Sequence, residues 1–167
     1  MDTAAHCLRR HPYKLRQAAG IIRVALHLVF TYSSSLTAWN TQALKNLGKQ
    51  WGLMGHRAWR LTDGHNEAPF ILPPEMGGLQ MHSPTRLAAK AAVSLTERML
   101  KTQDREIPRL ANGEMQLLQD KWGTKHTREI QQMIMMEDTA PTLISRSLFY
   151  TGLVGTTPHW NLSLIHI

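Results

Sequence analysis

The sequence predicts a mainly α protein, an irregular multi-helix fragment with a Pro-Pro/Gly-Gly turn between two of its helices. Three observations predict it. Apolar residues recur at three- and four-residue steps, the helical period, in window after window. Almost no stretch alternates apolar and polar residues as a half-buried strand does. Prolines and glycines fall between the periodic windows, where helices stop.

The first twelve residues carry no such period and are expected to be disordered. From Tyr13 to about Thr31, Leu15, Ala18, Ile22, Ala25 or Leu26, and Val29 line one face of an amphipathic helix. Ser33 to Thr37 is expected to break it. Leu44, Leu47, Trp51, Met54, Ala58 and Leu61 then alternate steps of three and four, a seam that needs a partner helix. Gly48, Gly52 and Gly55 each weaken that second helix by about 1 kcal/mol relative to alanine, so either packing holds it or a close backbone approach explains the glycines.

Thr62 to Gly64 ends the second helix, and the proline-bounded run from Ala68 to Leu72 reads as an extended connector. Next comes Leu72-Pro73-Pro74-Glu75-Met76-Gly77-Gly78-Leu79-Gln80-Met81. Pro73 and Pro74 stop a helix, Gly77 and Gly78 open backbone angles closed to other residues, and the chain turns sharply. Ser83-Pro84 supplies an N-cap and a first-turn proline for a helix to Lys101, with Leu87, Ala91, Leu95 and Met99 on one face.

Beyond residue 102, Pro108 starts or delimits a short segment, and Asn112-Gly113 reads as a turn or N-cap before a helix from Glu114 to Lys121. Thr124 is positioned to cap a helix to Met136 with Ile130, Met133 and Ile134 inward. Thr139 and Pro141 announce a last helix in which Leu143, Ile144, Ser147, Leu148 and Thr151 stack before Gly152. The expected division is 1–12, a helical region 13–101, a second helical region 102–152 and a tail 153–167. The last five residues, Ser163 to Ile167, resemble an in-frame translation of a sequencing adapter and are set aside from fold reasoning.

A chain of 167 residues with 43% apolar residues can bury a core. Its net charge of +7 favours a polyanionic partner, because lysine and arginine displace counterions condensed on nucleic-acid phosphates. The charge is concentrated. Through residue 60 the cations are Arg9, Arg10, Lys14, Arg16, Arg23, Lys45, Lys49, Arg57 and Arg60 against Asp2 alone. A phosphate-tracking surface therefore belongs to the N-terminal third, with Arg23, Lys45, Lys49, Arg57 and Arg60 as its cations and Trp59 as a base-stacking side chain. Trp51 falls on the seam and is assigned to the core.

Cys7 is the single cysteine, which excludes an internal disulfide and fits a reducing intracellular compartment, nuclear or cytoplasmic. The basic N-terminus also has the look of a mitochondrial transit peptide. Arg23 and His27 interrupt the most apolar stretch, Ala18 to Trp39, so no membrane span is expected. His6, Cys7 and His11 have no second ligand pair at zinc spacing, and no metal site is expected. His56, His65 and His82 lack a carboxylate at general-base spacing and are expected at the surface.

The Leu-Pro-Pro-Glu-x-Gly-Gly-Leu block resembles one that lies just past the polymerase core of many non-LTR (LINE-like) retrotransposon reverse transcriptases. Ile21 to Tyr32, Trp39, Leu44, Leu47, Trp51 and Arg57-Ala58-Trp59-Arg60-Leu61 are similar to that family's upstream segment, so Leu15 to Leu100 carries the resemblance. The family often has Gly after the last Leu of the block, where this chain has Gln80. The resemblance implies a thumb- or connection-like region at 13–101 that grips primer and template, with RNA or DNA and the rest of the parent polyprotein as partners. The parent would be an RNA-directed DNA polymerase using Mg2+ held by an aromatic-x-Asp-Asp turn. Here Asp2, Asp63, Asp104, Asp120 and Asp138 stand apart, and none follows Tyr or Phe by two residues. The fragment is therefore expected to be non-catalytic and free of cofactor. A stand-alone basic helical nucleic-acid-binding protein, or a mitochondrially targeted protein, are the other expectations.

Overall fold

The computed structural model describes residues 15–58, 68–76 and 78–158. Among them all regular structure is helical, as the periodicity predicts. The helices are α1 (Leu15–Ile22), α2 (Leu28–Leu36), α3 (Thr41–Ala58), the single turn α4 (Ala68–Ile71), α5 (Pro84–Lys101), α6 (Glu106–Trp122), α7 (Thr127–Glu137) and α8 (Leu143–Leu153). A π-helical stretch, Arg23–His27, joins α1 to α2, and a 3-10 turn occupies Pro74–Met76. The residues gather into two compact units, one of residues 1–30 and 42–84 and the other of residues 31–41 and 85–167.

In the first unit, α3 buries Leu44, Leu47, Trp51 and Met54, four positions of the expected seam, with Trp51 only 4% exposed. Phe30 meets the Trp51 ring edge-on at 5.5 Å between centroids. The serines after Thr31 do not break the preceding helix. Ser34 and Ser35 donate their hydroxyls to the carbonyls of Thr31 and Tyr32, at 3.1 and 2.7 Å, so their hydrogen-bonding capacity is met inside the helix and α2 continues to Leu36. The stretch Ala19–Leu36 is long and apolar enough to cross a membrane by length and composition, with mean hydropathy 1.3. Val24, Leu28 and Val29 on it are exposed.

The connector before the double proline is helical for one turn instead of extended, and Pro69 suits it because first-turn N–H groups need no helical acceptor. The turn itself closes on its own backbone. The Pro73 carbonyl accepts from the N–H groups of Met76 and Gly78, at 3.0 and 3.1 Å, while Gln80 donates to Leu72 at 2.9 Å and Met81 to Phe70 at 2.7 Å. Those last two bonds draw Phe70 and Met81 together as a buried pair, against which Leu26 and Leu79 pack. Gly78 is obligatory here, since a Cβ on it would overlap the carbonyl and side chain of Leu72. Gln80 holds a left-handed backbone, φ 52°, at the position after the block's last leucine.

In the second unit, α5 begins at Pro84 as predicted, and its inward face includes Ala88, Ala92 and Thr96 beside Leu87 and Ala91. Thr96 and Ser147 share a buried hydroxyl–hydroxyl bond of 2.7 Å. One helix, α6, replaces the two segments expected between 104 and 122. Pro108 stands in its first turn, where a missing N–H costs nothing, and Gly113 lies in its interior with open space around it. The Asp104 carboxylate accepts from the Glu106 N–H at 2.8 Å, and Gly123 ends the helix at φ 64°.

Ile130 and Ile134 of α7 are buried as expected. Thr142 caps α8 in a reciprocal capping box with Ser145, and Ile144, Ser147, Leu148 and Thr151 all turn inward. Gly152 does not end that helix. It sits inside it, close against Met135, and Gly155 at φ 76° makes the left-handed exit. Residues 31–41 complete this unit: the Tyr150 hydroxyl accepts from the Trp39 N–H at 2.8 Å, Arg146 donates to the Ser35 carbonyl at 2.9 Å, and Asp138 accepts from Thr41. Burial pushes the Tyr150 phenol above its ordinary pKa.

Candidate nucleic-acid interface

Helix α3 contains no Asp or Glu, so nothing on it offsets Lys45 and Lys49. Four residues apart, these two lysines share a helix face with Cβ atoms about 5–6 Å apart. Both are exposed. Among the described side chains of the first unit, Arg23, Lys45 and Lys49 stand against Glu75 alone. Such a surface attracts polyanions over about 10 Å at 0.1 M salt.

Lys45 and Lys49 stand at the edge of a cavity of about 320 Å³. Its apolar lining comes from Trp51 on α3, from Phe70 and Ile71 on α4, and from Met81 and Pro84 after the turn. Gly48 and Gly52, one helical turn apart, leave the α3 backbone bare along it, and His82 and Ser83 add polar groups. A Cβ on Gly48 would meet only Pro84 Cδ, at 3.9 Å, an ordinary contact. The space is therefore open, and not already filled by the protein.

Flat rings stack beside this cavity. His27 lies on Trp51 at 5.5 Å and 18° between planes, and His82 lies on His27 at 5.9 Å and 27°. The π-helical stretch, with its extra residue per turn, places His27 in that column. Burial, with smaller contributions from the His82 and Arg23 charges, lowers the His27 pKa from 6.5 to about 4. The His27 ring is therefore neutral at pH 7. Its Nε2 and the Trp51 indole nitrogen are buried with no protein partner.

Lys45 and Lys49 are thus brought together, while Arg23, half-buried on the π-helical stretch, does not line the cavity. The Arg57 side chain, Trp59, Arg60, His65 and Gly77 lie outside the described residues, as do His6, Cys7 and His11. Pro73, Pro74 and Gly78 make the expected turn. His56 departs from its expected surface position: it is 6% exposed, edge-on to Phe70 at 5.0 Å. Sequence reading missed His27 and His82 as members of the site. Their signal lay in a His within an apolar helical face and a His following the Gly-Gly turn, and neither marks a stack until the turn has brought the two segments together.

Among the described residues no group of three or more His, Cys, Asp or Glu is placed to hold a metal ion. Comparison of the chain with protein-family models, with curated proteins and with solved structures finds no match.

Proposed function

We propose that this chain is a non-catalytic helical part of a non-LTR retrotransposon reverse transcriptase, from the region after the polymerase active site, and that it contacts the primer and template. The observation that carries the reading is the turn. The Leu-Pro-Pro-Glu-x-Gly-Gly-Leu block is moderately specific, and its conformation suits the residues that define it. Gly78 touches the Leu72 backbone, and Gln80, after the block's last leucine, where that family often has Gly, takes the left-handed angle that glycine favours. The acid-free α3 supplies the second support, because a phosphate-tracking helix needs uncompensated cations.

In this reading α3 meets the nucleic-acid backbone through Lys45 and Lys49. Polymerisation, with its Mg2+ chemistry, belongs to the parent protein. No two aspartates are adjacent in the sequence, and among the described residues no group of three or more acidic or metal-ligating side chains gathers as two-metal nucleotidyl transfer requires.

The test is a titration of an RNA/DNA hybrid duplex with the full chain at several salt concentrations. If Lys45 and Lys49 each neutralise one phosphate, replacing both by alanine lowers the slope of log K against log salt by about 1.8. A slope unchanged by the double substitution would remove these residues from the interface.

A further inference from the structure

We infer that the cavity beside α3 takes one unpaired nucleotide, its planar base against Trp51 and Phe70 and its phosphate between Lys45 and Lys49. The inference rests on the nucleic-acid reading and goes further, from a surface that follows phosphates to a pocket that receives a base.

Three features converge on this chemistry. At about 320 Å³ the cavity lies at the small end of ligand pockets, too small for a duplex segment and suited to a single planar group. Its lining is apolar and aromatic, and base–aromatic stacking is tolerant of base identity. The two lysines at its edge are one helical turn apart with no carboxylate on their helix, so the ligand should be anionic beside its flat part. Gly48 and Gly52 then acquire a purpose: glycine costs helix stability, and here it leaves room for a ligand to reach the helix backbone.

Gly48→Leu separates the cavity from the charge. The substitution favours the helix, its Cβ meets no atom closer than 3.9 Å, and its side chain occupies the space a base would need. The experiment compares an RNA/DNA hybrid duplex carrying a one-nucleotide 2-aminopurine overhang with the same duplex bearing an abasic overhang. Binding is read by anisotropy and by 2-aminopurine quenching, and free 2-aminopurine nucleoside monophosphate is titrated in parallel. The expected result is at least fivefold tighter binding of the 2-aminopurine overhang, with quenching. In Gly48→Leu that preference and the quenching disappear, while the salt slope and the far-UV circular dichroism match the parent chain.

Quenching of the free monophosphate with equal strength would support the pocket and identify its source as a soluble nucleotide. Equal affinity for base and abasic overhangs, with salt-dependent binding intact, would overturn the inference and leave the phosphate-contact reading standing. No salt-dependent binding of any probe would overturn both.

Discussion

Exchanging the roles of two neighbouring residues, Gly78 and Gln80, tests the turn. In Gly78→Ala the new methyl overlaps the Leu72 carbonyl, a backbone group that no side-chain rotation can move aside. The two legs of the loop have to separate. That breaks the bonds from Gln80 to Leu72 and from Met81 to Phe70, worth about 1 kcal/mol each. It also begins to expose Phe70 and Met81, now 5% and 6% exposed, and losing half of their burial costs about 1 kcal/mol apiece. The expected loss is about 4 kcal/mol from the first unit. Gln80→Gly works in the opposite direction: it relieves a left-handed non-glycine residue, about 1–2 kcal/mol, against the extra chain entropy glycine brings to the unfolded state, for a net gain of about 0.5 kcal/mol. Urea unfolding followed by circular dichroism gives the midpoints, and hydrogen exchange at the amides of Gln80 and Met81 reports the loop itself. If Gly78→Ala keeps the parent midpoint and both amides stay protected, the close approach of Gly78 to Leu72 is refuted.

Acidification should weaken the first unit through His27. Between pH 6.5 and about 4 the unfolded chain takes up a proton at this residue that the folded ring refuses, so stability is complete above 6.5 and falls as the pH drops through that window. Because the ring is half-buried, solvent screening reduces the cost to about 1 kcal/mol at pH 4.5, and His27→Gln should remove that part of the pH dependence in urea midpoints measured at pH 7 and 4.5. In the second unit, Gln131 lies within 2.9–3.0 Å of three acceptors, the Leu148 and Thr156 carbonyls and the Thr151 hydroxyl, and accepts from Thr157 at 2.9 Å. Gln131→Leu should cost about 2–4 kcal/mol by stranding those groups, and a thermal midpoint equal to the parent's would show that they find other partners.

Helix existence was legible wherever apolar residues kept a helical step, which is why α3 and α5 and the inward faces of α7 and α8 appear as expected. The misreadings share one cause. Ser33, Asn112, Gly113 and Gly152 are residues with a local preference for breaking helices, and each sits instead where the helix can absorb it: a serine among hydroxyls bonded back to the preceding turn, a glycine in open space or against a packed methionine. Local preference amounts to about 1 kcal/mol per residue and packing overrides it. The lysines of the candidate site were legible as an uncompensated charge on one helix. The His82–His27–Trp51 stack was not, since residues 27, 51 and 82 come together only through tertiary structure.

The assignment of residues 31–41 to the second unit makes that unit discontinuous in the chain, with the first unit's residues 42–84 intervening. Trp39 and its acceptor on Tyr150 are 111 residues apart, as are Ser35 and Arg146. On a ribosome adding about 5–20 residues per second, the wait lasts several seconds or more, during which Ser35 and Trp39 have left the peptidyl-transferase centre and their partners have not been made. The first unit can close in that interval and the second cannot. Synthesis order therefore imposes a folding order, and a truncation that removes residues 31–41 would strip the later unit of backbone groups that Arg146 and Tyr150 are built to meet.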